Sequence, residues 1–447
     1  MKMNLVALFL LGAALSCRAA SPSPERGPLR ISLKRAVELA LSPEGNAHIQ
    51  LSQELVRQAK ARSVQARAAL LPDLEGSFGY ENETRNLATM GLDQIQLPFQ
   101  LRIPRMVGPF DLMDARTTLV QSVFDMSSIR RLQASHAGVG AAKAELENTD
   151  DLVTGRVAKA YMAGLRAVAE LEAVNANVAL AEAVLKQAQN QKTAGSGTGI
   201  EVTRARVELL NQQQRRLVAE KDRNKARLEL LRAMGLRLDT EVELTDKLTY
   251  APVDTTAFEH AREEAENARA DLKAQKSRED AARLAASATR MERLPSVASF
   301  ADYGTTGAGV NSSLPTRTYG VAVRVPVFDG FRRDARREES NSIYREEKIK
   351  TNDLKDQIEL DVQLAIDSMH SAEEQVSVAT EALTLAESEL TQARRRYEAG
   401  VASGLEVTDA QTRLARARDN HIAALFNFNL SRLEFGQATG TIRDMLE

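Results

Sequence analysis

The chain repeats itself, and that repetition is its strongest constraint. Thr193 to Leu209 reads TAGSGTGIEVTRARVEL and Glu398 to Leu414 reads EAGVASGLEVTDAQTRL, each with an Ala-Gly, a small-residue turn and a Gly-apolar-Glu-Val-Thr run. Gly199 and Gly404 set an offset of 205 (404 minus 199), and the same offset carries ARLELLRAMG, ending at Gly235, onto SRLEFGQATG, ending at Gly440. It also maps Ala372, Val376, Ala379, Leu383, Ala386, Leu390 and Ala393 onto Ala167, Leu171, Val174, Val178, Ala181, Leu185 and Ala188. Apolar residues alternating by four and three form the seam of helices packed over several heptads. One hairpin of long helices has been copied.

Proline marks where those helices can run. None lies between Phe110 and Ala251, or from Val327 to the end, so neither stretch carries a residue that breaks the helical hydrogen-bond ladder. A helix from about Ser127 to Thr193 rises roughly 100 Å, at ~1.5 Å per residue. That exceeds several-fold the ~30 Å apolar thickness of a bilayer. The helix is also too polar for lipid and must stand in water or in a protein wall. Shorter helices precede each long one: Ser32 caps an amphipathic run to Leu41, Ile49 to Leu70 stops at Leu71-Pro72, and Ala268 to Arg293 stops at Leu294-Pro295.

After each of those prolines the period shortens to two. Strands are expected at Leu74 to Glu81, Arg116 to Phe124, Val297 to Tyr303 and Arg317 to Val325. Their inward and outward faces are not fixed by the alternation, which is poor in Thr117 to Val123 and Ser296 to Asp302. The connection Glu83 to Asp114, with Pro98, Pro104 and Pro109, is much longer than Thr305 to Thr316. Long loops at one end and tight connections at the other suit an outer-membrane barrel. Four strands cannot close one, and an open sheet edge cannot face lipid. Several copies must therefore pool their strands, and three would supply twelve.

Composition excludes other classes. There is no Trp, aromatics are 4%, charged residues are 27%, and 59 basic against 61 acidic residues leave a net charge of −2. Neither nucleic acid nor a polybasic membrane patch is indicated. Met1 to Ala20 reads as an export signal: Lys2, an uncharged run from Leu5 to Leu15, then small residues. Its Cys17 is the only cysteine. Lipobox processing would make it the acylated first residue, whereas cleavage after Ala19 or Ala20 would discard it, and both readings stay open. His48, His136, His260, His370 and His421 have no metal-ligand spacing. Gly195-Ser-Gly-Thr-Gly lacks the preceding strand and following Gly-Lys of a phosphate cradle, and no catalytic constellation is legible. No cofactor or metal is expected.

The ISLKRAVELAL opening, RAALLPDLEGSFGY, VRVPVFDGFRRDARREES from Val323 to Ser340, the two Ala-Gly tips and the RLE segments ending in Gly235 and Gly440 together resemble the TolC-like outer-membrane efflux family. The most specific motif, Pro326-Val-Phe-Asp-Gly330 before Arg332-Arg333, is weaker in the first repeat, at Ser122-Val-Phe-Asp-Met126. That resemblance implies a mainly α fold with a small β part: a homotrimer whose twelve-stranded barrel continues into a long periplasmic helical barrel. It divides the chain into a signal (1–20), a first repeat (30–235), an equatorial linker (236–260), a second repeat (261–440) and a short end (441–447). It implies a passive outer-membrane exit duct for a tripartite efflux or type I secretion system, served by an inner-membrane pump and a periplasmic adaptor. The alternative class is a soluble or lipid-anchored periplasmic coiled-coil adaptor.

The hairpin tips, 195–203 and 400–408, are the expected adaptor contacts, with Gly195, Gly199, Glu201, Gly400 and Gly404 as their defining residues. Thr198-Gly-Ile-Glu201 and Ser403-Gly-Leu-Glu406 both fit the capping-box pattern. Asp409 aligns with Arg204 and is not needed for capping. The resemblance puts acidic residues of the second tip at the constricted periplasmic entrance, where Glu406 and Asp409 share a helical face. Three copies would make a cation-favouring ring. An ion pair between Arg204 and Asp409 on neighbouring hairpins would latch the tip closed.

Overall fold

The computed structural model describes residues 29–42, 45–90, 104–252 and 256–446; the signal segment and Cys17 lie outside them. Each repeat contributes a short helix, a strand pair and a long helical hairpin. In the first these are α2 (Ala47–Ala68), β2 (Asp73–Asn86), β3 (Met106–Phe124), α3 (Met126–Thr193) and α4 (Gly199–Met234). In the second they are α6 (Ala270–Met291), β5 (Ser296–Gly307), β6 (Leu314–Arg324), α7 (Arg332–Glu398) and α8 (Gly404–Thr439). The remaining elements are β1 (Leu29–Ile31), α1 (Leu33–Leu41), β4 (Val242–Leu244) and α5 (Thr256–Ala268), close to the middle of the rods.

The long helices run 68 and 67 residues without a break. Above the middle, α3 packs against α2 and α6, and α6 against α7. Below it, α3 packs against α4 and α8, and α8 against α7. The two repeats therefore meet through α3, leaving α2 and α4 on one rim and α7 on the other. The heptad residues form the contacts: Ala372, Val376, Ala379, Ala386, Leu390 and Ala393 are buried, as are Ala167, Leu171, Val178, Ala181 and Ala188. Alanine at half the seam positions lets helix axes approach closely, so each rod is held by many small contacts rather than a few large side chains.

The strands form one antiparallel sheet in the order β2-β3-β5-β6. They are longer than the sequence pattern indicates, so the connections shrink to 87–105 and 308–313. Directly opposed residues of an antiparallel pair share a face, and the register settles the faces. One carries Leu74, Phe78 and Tyr80 with Met113, Ala115 and Leu119, then Val297, Ala301 and Tyr303, then Tyr319, Val321 and Val323. The other carries Glu75, Ser77 and Glu81 with Asp114, Arg116 and Thr118, then Asp302, then Thr318 and Arg324. The first face continues into Asn82, Asp111 and Arg317; its apolar stretch suits lipid, and the second face suits water. Among the described residues no helix is long and apolar enough to cross a membrane.

The duplication extends to the strand register. Asp73 opposes Val120 in the first hairpin and Ser296 opposes Arg324 in the second. The offsets are 223 (296 minus 73) and 204 (324 minus 120), so the two hairpins have one register.

An equatorial joint is duplicated as well. Helices α4 and α8 both end on a left-handed glycine, Gly235 at φ 74° and Gly440 at φ 77°, a conformation that costs other residues ~1–2 kcal/mol. Just before those caps, Asn46 Nδ2 donates to the Ala233 carbonyl at 2.9 Å and Arg269 Nη1 donates to the Ala438 carbonyl at 3.5 Å. Asn46 and Arg269 are 223 apart, and Ala233 and Ala438 are 205 apart, so these are equivalent contacts. Arg269 is also the extended residue that separates α5 from α6, and the helix expected from Ala268 starts at Ala270. Its guanidinium is held by Asp271 (2.7 Å) and Asp361 (2.9 Å).

Around this level β1 and β4 pair in parallel. Fully buried Tyr161 has its hydroxyl 2.9 Å from Asp246 Oδ2 and 3.0 Å from the Ile31 carbonyl, two acceptors that share its one proton. Asp246 also accepts the Leu33 amide at 2.8 Å. Burial and the neighbouring Asp246 raise the Tyr161 pKa, keeping the hydroxyl a donor. Farther along, Tyr250 Oη donates to Glu373 at 2.6 Å and its ring lies 4.8 Å from that of Phe428. The linker is thereby tied to both helices of the second hairpin.

Candidate functional site at the hairpin tips

The two tips are built alike. Helix α3 ends at Thr193, and Gly195 (φ 78°) reverses the chain; α7 ends at Glu398, and Gly400 (φ 71°) does the same. Ser196 donates to the Gln191 carbonyl at 3.0 Å, and its equivalent Val401 donates to the Arg396 carbonyl at 3.0 Å. Gly195, Gly199 and Gly400 are exposed, and Gly404 is half-buried beside Tyr397. Beneath them Val184, Ala188, Ala205, Leu390, Ala393, Tyr397, Val407, Ala410 and Leu414 form a shared core. That core fixes one tip against the other while leaving both turns in solvent.

Glu201 behaves as the capping pattern expects and also faces the second tip. Its Oε2 accepts the Thr198 amide at 2.9 Å and the Thr198 hydroxyl at 3.1 Å. The Thr198 amide, the Thr198 hydroxyl, the Gly404 amide and the Arg204 charge hold its pKa below the usual glutamate value, the Thr198 amide contributing most. Its negative charge helps raise the pKa of buried Tyr397, after burial itself. Glu201 thus caps its own helix and bridges toward the start of α8.

Glu406 departs from the expected capping. Ser403 makes no side-chain cap bond, and the Glu406 carboxylate instead pairs with Arg396 at 3.0 Å, across the turn on α7. The competing basic side chain explains the difference: Arg394-Arg395-Arg396 has no counterpart before the first tip, where the chain reads Gln189-Asn190-Gln191. Asp409 lies one turn further along α8, exposed. Arg204 is also exposed, and no ion pair joins it to Asp409 within the chain. The latch is therefore not made inside one copy. Among the described residues no group of three His, Cys, Asp or Glu is placed to hold a metal.

The sequence pattern did not single out Tyr397, whose burial in the tip core comes from α8 packing on α7.

Comparison with known proteins agrees with this architecture. The family model described as outer membrane efflux protein matches residues 43–236 and 261–441, one segment per repeat. The chain is 26% identical over 408 residues to the pyoverdine export outer membrane protein OpmQ of Pseudomonas putida, covering 87% of this chain and 81% of that protein. Its fold is that of the outer membrane protein VceC of Vibrio cholerae, with a TM-score of 0.77, 18% identity, and 91% and 96% of the two chains covered. The Campylobacter jejuni CmeC outer membrane channel superposes with a TM-score of 0.79 at 14% identity, over 92% of this chain and 86% of that one. With duplicated hairpins, a four-stranded sheet having one apolar face, and a family match across both repeats, the chain belongs to the outer membrane efflux protein family.

Proposed function

We propose that three copies of this chain close head to tail into a passive exit duct, with a twelve-stranded barrel in the outer membrane and a helical tunnel in the periplasm. The observation that carries it is the state of the two rims. Inside the chain, α3 of the first repeat packs on α6 and α8 of the second, and β3 pairs with β5. The equivalents of α3 and β3 are α7 and β6, which among the described residues pack on α6, α8 and β5 of their own repeat and have no further repeat on their other side. The equivalents of α6, α8 and β5 are α2, α4 and β2, which form the opposite rim.

Apolar residues mark both rims at positions whose repeat partners are covered. Leu385 on α7 is 63% exposed, whereas its equivalent Leu180 packs against the tip core. Leu210 on α4 is 56% exposed, whereas its equivalent Ala415 is 4% exposed. Joining rim to rim would cover these residues and pair the free edges of β2 and β6, which lipid cannot hydrate. The contact is heterologous, so it makes a ring if it closes.

In such a ring the tips of all copies converge at the periplasmic end. Glu406 and Asp409 are then the cation-favouring entrance, and an Arg204–Asp409 pair between neighbouring hairpins would latch it closed. The exposed turns around Gly195, Gly199, Glu201, Gly400 and Gly404 are the surface on which a periplasmic adaptor, driven by an inner-membrane pump, docks. The export role named for the Pseudomonas putida relative supports this direction of transport.

Planar-bilayer recording and mass in detergent test the reading together. A particle of three times the chain mass with a small cation-preferring conductance is expected, and Asp409→Ala raises that conductance. A monomer that stays in solution without detergent and never conducts would overturn it. Arg204→Glu and Asp409→Arg, each tested alone, address the latch between copies; unchanged conductance in both rejects it.

A further inference from the structure

Resting on that ring reading, we infer the register in which neighbouring copies join their barrel strands: Arg324 of one copy opposes Ser77 of the next, Val323 opposes Phe78, and Val321 opposes Tyr80. The duplication alone gives these pairs. The two hairpins share one internal register, so β3 maps onto β6 by 204 and β5 onto β2 by 223. Within the chain the repeats join by Val120 opposing Phe300, Leu119 opposing Ala301 and Thr117 opposing Tyr303. Adding 204 to the first member and subtracting 223 from the second turns these pairs into the three above.

The chemistry on each face agrees with the mapping. On the lipid side, Val323 (63% exposed) meets Phe78 (71%) and Val321 (66%) meets Tyr80 (63%). Pairs of β-branched and aromatic residues are the favourable cross-strand combination. On the water side, Ala322 meets Gly79 and Gly320 meets Glu81, so no like charges are opposed. A one-residue slip would turn every lipid-facing side chain toward water and is excluded by the alternation.

An ion pair already present within the chain shows what the joint adds. Arg116 opposes Gly304, and its guanidinium reaches back two residues to Asp302 at 3.6 Å. Arg324, opposite Ser77, has Glu75 of the next copy at that same diagonal place. Among the described residues neither Arg324 nor Glu75 has an ion-pair partner, and both lie on the water-facing side of the sheet. The geometry points to three Arg324–Glu75 bridges, one across each joint at the base of the barrel.

Paired cysteines on the full-length protein in outer membranes test the register. Val323→Cys with Phe78→Cys is expected to oxidise to covalent dimers and trimers on a denaturing gel. Val323→Cys with Tyr80→Cys, and Val323→Cys with Gly76→Cys, are expected to cross-link at least ~10-fold more slowly, because their Cβ atoms sit at the diagonal rather than the opposed spacing. Each single substitution alone controls for Cys17. Efficient linkage in either shifted pair instead would overturn the register while leaving the ring intact. No linkage in any pair, with a monomeric mass, would overturn the ring itself.

Charge exchange supplies a second readout. Arg324→Glu or Glu75→Arg alone is expected to lower the trimer fraction in detergent, and the two together to restore it. Absence of rescue in the double variant counts against the bridge.

Discussion

Replacing Glu201 with alanine removes the group that ties the two tips together. The carboxylate accepts two bonds from Thr198, at 2.9 and 3.1 Å, and faces the first turn of α8. Loss of a helix N-cap interaction costs ~0.5–2 kcal/mol, and the released amide is solvent-exposed, so the cost stays at the capping scale instead of a buried-donor scale. A change of one or two kcal/mol alters a local equilibrium by a factor of about 5–30. If closure of the tips needs the first turn of α4, the open fraction of E201A in planar bilayers should rise by about that factor. Glu201→Gln keeps an acceptor oxygen without the charge and should lie between parent and alanine.

The same residue sets the acid response. Its folded-state pKa is depressed, so its contribution is fully present above the ordinary glutamate value and disappears as pH falls through the depressed one. The parent channel should therefore approach E201A behaviour on acidification, while E201A changes little. An E201A open fraction within about twofold of the parent, well under the 1.4 kcal/mol that a tenfold change represents, refutes the argument.

Leu210→Asp or Leu385→Asp places a charge on a rim and should leave far-UV helicity intact while shifting the particle to monomer, read by mass in detergent. Gly440→Ala should be costlier than Gly400→Ala: both glycines are left-handed, but a Cβ at 440 would lie 2.9–3.1 Å from the Arg269 and Ala268 backbone, whereas nothing lies within 4 Å at 400. The expected gap, beyond the ~1 kcal/mol common to both, is measurable as a lower thermal midpoint for G440A. Tyr161→Phe takes one donor from Asp246 and from the Ile31 carbonyl and should cost ~1–3 kcal/mol, seen as faster proteolysis of the β1–β4 region with tip conductance unchanged.

Much of this architecture was legible because it rests on long periodic patterns. Proline-free heptads marked the long helices, and Gly235 and Gly440 marked the ends of α4 and α8. The sheet faces were not legible, because the lipid side includes Gly76, Thr117 and Ser299 while the water side includes Val120 and Phe300. Only the pairing across four strands sums these into an apolar and a polar face. Strand ends were underestimated for a related reason: Asn82–Asn86 is polar on both faces and carries no alternation. At the tips, the cap at Glu201 was readable from Thr198 three residues earlier. The Arg396–Glu406 pair was not, since it crosses a turn whose geometry decides which partner the carboxylate chooses.

The continuous rods also work as levers. Tyr161 pins α3 near its midpoint, 35 residues from Met126 and 32 from Thr193, which makes two arms of ~50 Å each. A rigid swing of ~10° about that fulcrum would carry the tip ~8 Å inward or outward and push the upper arm slightly farther the opposite way. The upper arm is tethered to hydrogen-bonded strands in a sheet, which cannot yield by such a distance. Torque applied at the tips must then be absorbed as bending at the fulcrum, where the Asn46 and Arg269 joints differ in charge. The joint of the first repeat is the neutral Asn46, and that of the second is Arg269 with its two carboxylates, Asp271 and Asp361.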